Sequence, residues 1–305
     1  MAEQTITKTP TRPDADRFGP LQHPKRSDAP VLDWIGAALR YLTLILLTIL
    51  FLFPFYLMIR NALSTQAEIT SFEWVWWPEK IQWSNWNALF DSTQVDMTIG
   101  LRNSVIIAVV NFIFQTLFAS MAGYALARIP FRGAGVFFAI ILVTLMVPAA
   151  VTFVPTFVVV SAMGGVNTVW GIVVPGLFNA FATFLFRQFY LDFPTEIEEA
   201  GRLDGLSYFG VYWRMLLPNS IGIMAALGVL SFIASWNAFL WPSIIGQTPG
   251  SRTVQVVLSA FLTAQTINLP ALFMGAVVGA APLVIVFLLL QRYIVQGVRM
   301  SGIKG

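Results

Sequence analysis

The sequence predicts an all-α, polytopic membrane protein with six transmembrane helices, and three observations carry that prediction. Of the 305 residues, 57% are hydrophobic and only 11% charged, a balance outside the range of soluble globular domains. Most of the apolar residues fall in runs of about 20, the length a helix needs to cross a bilayer. Lys and Arg divide fourteen to four between the two sides that six spans define. By the positive-inside rule, that asymmetry places both termini in the cytoplasm.

Residues 1–30 are rich in Thr, Pro, Asp and basic residues, lack apolar periodicity, and are expected to form a disordered cytoplasmic tail. The first apolar run starts near Ile35, too late and too long for a signal peptide. It supplies the first span, 35–58, with Pro54 expected to kink its outer end. The polar stretch 60–100 holds Trp74, Trp76, Trp77, Trp83 and Trp86. These suit an aromatic belt at the membrane boundary, and stacking on a sugar ring is the competing reading. The remaining spans are expected at 101–126, 136–160, 169–186, 221–240 and 272–290, so that 31–290 forms the membrane domain. They are joined by a basic loop with Arg128 and Arg132, an uncharged turn at Gly164, Gly165 and Asn167, an acidic loop at 187–218 and a polar loop at 241–270. Residues 291–305 follow as a basic tail.

The acidic loop carries a helix signature. Pro194 suits a helix start, and Glu196, Glu198 and Glu199 lie toward the positive end of the dipole. Asp204-Gly205 is a stop, because Gly205 can take the left-handed cap conformation. Ile197, Ala200 and Gly201 form a small, shallow apolar face, and Glu198 is spaced to pair with Arg202. A short helix of this kind between spans is expected to be a docking element; a solvated acidic face is the plainer alternative.

Chemistry is conspicuous by what the chain lacks. It has no cysteine and a single histidine, His23, so thiolate, disulfide and histidine-cluster metal sites are excluded. The basic residues flank apolar runs instead of forming a stripe, which points to a lipid bilayer and not to nucleic acid. No ionisable side chain lies between Gly133 and Phe186, Met215 and Ser251, or Thr253 and Gln291. A proton- or sodium-coupled carrier keeps such groups inside the membrane, so this pattern argues against one. No Gly-Lys dipeptide exists, hence no P-loop. Energy for uphill transport has to arrive through another subunit.

At this point the residues resemble a known family. Glu199-Ala200-Gly201, Asp204-Gly205 and Leu217-Pro218 are similar to the EAA loop of permease subunits of bacterial ABC importers, with Gly201 where a second Ala is usual. That glycine is expected to loosen the helix by about 1 kcal/mol relative to Ala. The C-terminal QRYIVQGVRMSGIKG and the early PFYLMIRNALS resemble the smaller membrane subunit of carbohydrate, maltose-type importers, the MalG type. The resemblance covers about residues 33 to 305 and implies the type I ABC importer permease fold.

It also implies roles. Glu198, Glu199, Ala200, Gly201, Asp204, Gly205, Leu217 and Pro218 would couple to ATPase subunits, and Ser301, Gly302, Ile303, Lys304 and Gly305 would add contacts there. The 241–270 loop would touch an external sugar-binding protein. The implied partners are a homologous MalF-like permease, two MalK-like ATP-binding cassette subunits and that binding protein. ATP and magnesium would sit on the cassettes, this chain would bind no cofactor and catalyse no bond chemistry, and a sugar would be the solute. The implied location is the bacterial cytoplasmic membrane. In that family the sugar is held mainly by the larger permease.

Other side chains leave two readings open. Asn111, Gln115, Asn179, Trp236 and Asn237 line a pathway, or else serve interhelical hydrogen bonds, as would Thr183. Pro148, Pro155 and Pro175 are hinges, or kinks satisfied by neighbouring helices. The rival functions are an ABC permease for glycerol-phosphate, polyamine or amino acid, and a non-ABC carrier or channel.

Overall fold

The computed structural model describes residues 30–90, 96–262 and 268–302, with side chains over 34–90, 96–262 and 268–291. The tail expected at 1–30 lies almost wholly outside the described residues.

In chain order the helices are α1 (Pro30–Ala62), α2 (Gln66–Thr70), α3 (Ser84–Phe90), α4 (Met97–Val110), α5 (Thr116–Arg128), α6 (Ala134–Met146), α7 (Ala149–Ala162) and α8 (Val169–Val173). After these come α9 (Ala180–Leu191), α10 (Thr195–Leu203), α11 (Tyr208–Val211), α12 (Leu217–Asn219), α13 (Ile221–Trp236), α14 (Leu240–Ile245), α15 (Val254–Ala260) and α16 (Leu269–Gly302). Two π turns, Asn111–Gln115 and Tyr212–Leu216, carry α4 into α5 and α11 into α12.

The chain divides into two units, Met1–Pro54 and Phe55–Gly305. In the first, α1 exposes large apolar side chains such as Leu39, Leu46, Leu50 and Phe51, and Thr43 and Thr48 donate their hydroxyls to Leu39 and Leu44 carbonyls at 2.9 and 2.7 Å. Such back-bonding lets a hydroxyl sit in an apolar helix without an unpaired donor.

In the second unit, Met97–Arg128 and Leu269–Gln291 are long and apolar enough to cross a membrane, as is Trp34–Ala62 of α1. Three further spans are bent pairs, giving six in all if each pair counts once. Three of the spans expected from the sequence are the ones that bend. The one at 136–160 is α6 and α7 meeting at 104°. Pro148 cannot continue a helix and forces Val147 into extended backbone (φ −81°, ψ 118°). The one at 169–186 bends by 42° before Asn179, whose Oδ1 caps α9 by accepting from Ala182 N at 2.9 Å. The one at 221–240 follows a 78° corner at Ser220 and stops at Trp236. The tail expected after residue 290 is instead the continuation of α16, and the 241–270 loop contains α14, α15 and a 3₁₀ turn at Pro249–Ser251.

Three apolar clusters hold the second unit. One gathers Met97, Phe232, Trp236, Val254 and Met274 from α4, α13, α15 and α16. Another gathers Phe186, Tyr190, Val211, Tyr212 and Leu216 where α9 and the α11–α12 segment meet α5. The third gathers Ile107, Val160, Ile172 and Ile245. Near that third cluster, asparagines staple the loops. Asn167, at φ 61°, accepts from Gln247 N and Thr248 N at 2.9 Å. Buried Asn103 donates to Gly250 O and Arg252 O at 3.0 Å.

Candidate functional site

The acidic loop folds as a short helix, α10, entered through Pro194. It ends in a Schellman pair: Leu206 N–H donates to Gly201 O and Gly205 N–H to Arg202 O, both at 3.0 Å. Gly205 has φ +82°, and no atom occupies the space a Cβ would take. Its glycine is therefore a backbone requirement, since other residues adopt this conformation only with strain. Ser207 then caps α11 by accepting from Gly210 N. Leu217 and Pro218 open α12 directly after the Tyr212–Leu216 π turn.

The two faces of α10 differ. Glu196, Glu199, Ala200, Asp204 and Gly205 are exposed, together with Leu203 at 88% and Phe209 of α11 at 64%. Large apolar side chains are thus left uncovered beside a shallow helix face. The inner face buries Glu198 and Gly201. A Cβ on Gly201 would collide with Met215 Sδ and lie 3.3 Å from Val211 Cγ2. Gly201 therefore packs closely on the α11–α12 segment, and a Cβ there would require the flexible end of Met215 to move aside.

Glu198 does not pair with Arg202, as their spacing suggested. Its Oε2 lies 3.9 Å from Nε of Arg128, the last residue of α5, with side chains 10% and 12% exposed. Arg128 also donates to Tyr190 O at 2.8 Å and to Phe193 O. One guanidinium therefore joins the end of α5, the end of α9 and the first turn of α10. Burial decides the pairing: the inward carboxylate takes the cation that is buried with it. Arg202 lies instead over the Tyr208 ring at 4.5 Å. In the sequence Arg128 registered only as one of the loop's positive charges.

A knot of aromatic residues lies under this clamp. Tyr124 stacks on Tyr212 at 5.3 Å and meets Tyr190 edge-on at 5.8 Å. The Tyr190 and Tyr212 hydroxyls converge on Ser120 Oγ at 2.7 and 3.0 Å. Helices α5 and α9 approach closely at Gly123, where a Cβ would stand 2.6 Å from Phe186 Cβ.

The proposed pathway residues separate. Trp236 is fully buried, stacks on Phe232 at 5.8 Å and donates Nε1–H to Gly279 O at 2.9 Å. It is a core residue tying α13 to α16, which corrects its reading as lumen-facing. Its neighbour Asn237 is exposed, and Asn179 serves as a helix cap. Asn111 and Gln115 bracket the π turn: Gln115 donates to Gly176 O, and Asn111 lines a cavity of about 340 Å³. Ser301 and Gly302 end α16, while Ile303, Lys304 and Gly305 lie outside the described residues. Among the described residues no three His, Cys, Asp or Glu side chains are placed to hold a metal.

Fold and site together define a class: an integral membrane protein of bent helical spans that presents one short helix pinned to two of them. Residues 115–300 match the family model of the binding-protein-dependent transport system inner membrane component, and the chain belongs to that family. It is thus an inner-membrane permease of a transport system that uses a substrate-binding protein, and not an enzyme. The arabinooligosaccharides transport system permease protein AraQ of Halalkalibacterium halodurans is 31% identical over 92% of this chain and 100% of its own length. The lactose transport system permease protein LacG of Rhizobium radiobacter is 32% identical, covering 85% and 93%. The fold is also that of a chain in the crystal structure of a bacterial ABC transporter involved in import of the acidic polysaccharide alginate, with TM-score 0.73, 22% identity and coverage of 88% and 98%.

Proposed function

We propose that this chain is one of two membrane subunits of an ATP-driven importer of neutral di- or oligosaccharides, with α10 as the helix that docks on an ATPase subunit. The carrying observation is the uncovered outer face of α10, Glu199, Ala200, Leu203 and Gly205, on a helix whose inner face is clamped to α5 and α9 through Glu198 and Arg128. A push on α10 is then transmitted to two spans through packed groups, the kind of discrete coupling that interconverts inward- and outward-facing states. The chain lacks a P-loop, so ATP and magnesium belong to two MalK-like cassettes, and a MalF-like permease completes the pathway. The charge asymmetry of the loops supports a cytoplasmic position for α10 and both termini. The solute class follows from the AraQ and LacG relatives and from the absence of ionisable side chains over most of the apolar runs.

Replacing Glu199 with Lys, or Gly205 with Val, is the direct test in the reconstituted complex. Both variants should insert and assemble, yet hydrolyse ATP without moving sugar. Normal substrate-stimulated hydrolysis with normal transport in both would remove α10 from the coupling role.

A further inference from the structure

The stretch between α1 and α4 carries a surface that the α10 site does not use. Trp74, Trp76, Trp77, Trp83 and Trp86 are all exposed, and Phe72 is fully so, a large apolar patch for one short segment. The backbone beneath these rings is tied down. Arg60, 3% exposed, donates Nε–H to Val75 O at 3.1 Å, and its guanidinium lies over the Trp74 ring at 5.5 Å. The Tyr56 hydroxyl donates to Trp76 O. Gln82 N–H donates to Leu63 O at 3.0 Å, and Asn85 Nδ2 donates to Ala62 O at 2.9 Å and Ser64 O at 3.0 Å. Residues 75–85 are thereby folded back along the end of α1.

The sequence of α1 sets the depth of that end. Arg40 and Arg60 bracket residues 41–59, an uncharged stretch of 19 residues. As a helix such a stretch measures about 28 Å, close to the ~30 Å of bilayer hydrocarbon. Arg60 therefore stands where hydrocarbon gives way to headgroups, with Tyr56 one turn further in, and their bonds hold Val75 and Trp76 at this boundary. The indoles suit it. Trp236 and Trp241, packed among helices, each give Nε1–H to a backbone carbonyl. None of the five indole N–H groups of this segment has an acceptor among the described residues. An apolar ring with an unspent N–H fits the layer where lipid chains meet headgroup oxygens. Glu73 and Glu79 against Lys80 leave residues 72–86 one negative charge, so anionic headgroups would not draw them in.

We propose that residues 72–86 form a lipid-binding anchor, inserting Phe72 and the tryptophan rings into the headgroup boundary of neutral lipid where α1 ends, on a backbone held by Arg60 and Tyr56. The anchor uses no step of solute import and stands or falls apart from that reading.

The chain has no cysteine, so Phe72→Cys and Trp77→Cys each place a single thiol in this subunit, at side chains too exposed for the change to threaten the fold. The full complex, with cysteines of the other subunits replaced by serine, is spin-labelled and reconstituted into phosphatidylcholine vesicles, with and without phosphatidylglycerol. Collision of the nitroxide with oxygen, which concentrates in lipid, should exceed collision with a water-soluble nickel chelate at least about threefold at both positions. The ratio should be the same in both kinds of vesicle. Nickel collision that matches or exceeds oxygen at either position overturns the anchor. A label shielded from both reagents overturns it too, because a neighbouring subunit then covers the patch. An oxygen preference seen only with phosphatidylglycerol refutes the neutral-lipid assignment. Adding the substrate-binding protein should leave the ratio unchanged, and shielding that follows its addition would make the patch a protein-docking surface instead.

Discussion

Replacing Arg128 with Gln should be among the most damaging single changes to the clamp that holds α10. The substitution deletes a donor to Tyr190 O and Phe193 O and leaves Glu198, 8% exposed, without its cation. Hydrogen bonds from a charged donor are each worth about 1.5–3 kcal/mol, and stranding a buried charge adds to that. Discounted for an edge position, the loss is about 3 kcal/mol. Glu198→Gln keeps both carbonyl bonds and removes only an attraction across 3.9 Å, about 1 kcal/mol. Melting of the purified complex should therefore fall by about 8 °C for Arg128→Gln and about 3 °C for Glu198→Gln. Arg128→Lys should recover little, because a point charge cannot reach two carbonyls as a planar fork does. The double variant should lose less than the sum of the singles, since the stranded carboxylate is gone. Equal losses from the two single substitutions would refute the view that Arg128 acts chiefly as a carbonyl clamp.

Other expectations are read separately. Gly123→Leu should abolish assembly, because its side chain must enter where Phe186 Cβ and Arg187 N stand 2.6 and 2.8 Å from a mere Cβ; detection of intact complex on a sizing column checks this. Trp236→Phe should destabilise by about 2 kcal/mol through the lost bond to Gly279 O and a smaller ring, without altering sugar selectivity; a change in selectivity would return Trp236 to the pathway. The Thr65 N–H donates to the Glu68 carboxylate and holds it below its ordinary 4.5. Its contribution is complete above that value and fades as pH falls through the lowered one, so Glu68→Gln should lower stability at neutral pH, flatten the acid side of the stability profile and leave the acid limit nearly unchanged.

Much of α10 was legible because its signals are local. Proline at the start, acids in the first turn and Asp-Gly at the end each act within one turn of backbone, and the helix forms at Thr195–Leu203 with Gly205 left-handed. Its partners were not legible. The i,i+4 spacing nominated Arg202 for Glu198, and only the packing of α10 on α5 and α9 brought Arg128 there instead. Gly201 looked like a weakness and is a point of close approach. Trp236 carried an amphipathic side chain near a predicted span end, and nothing in its neighbourhood announced the Gly279 carbonyl on α16.

The spans show the same division. Apolar runs of bilayer length depend on composition alone, so the sequence by itself determined that the chain is a helical membrane protein and where its polar loops lie. Prolines marked one place where a span breaks, at Pro148, but not how far it turns, and the breaks before Asn179 and at Ser220 were not legible. Bends of 104°, 42° and 78° are set by which neighbouring groups satisfy the freed backbone and fill the angle. Only the tertiary structure decided which buried polar groups found partners. It gave Arg128 its two carbonyls and its carboxylate, and it left Asn111 Oδ1 buried without a donor. Hydrogen bonds and close contacts between distant segments depend on distances of a few tenths of an ångström, which no spacing along the chain encodes.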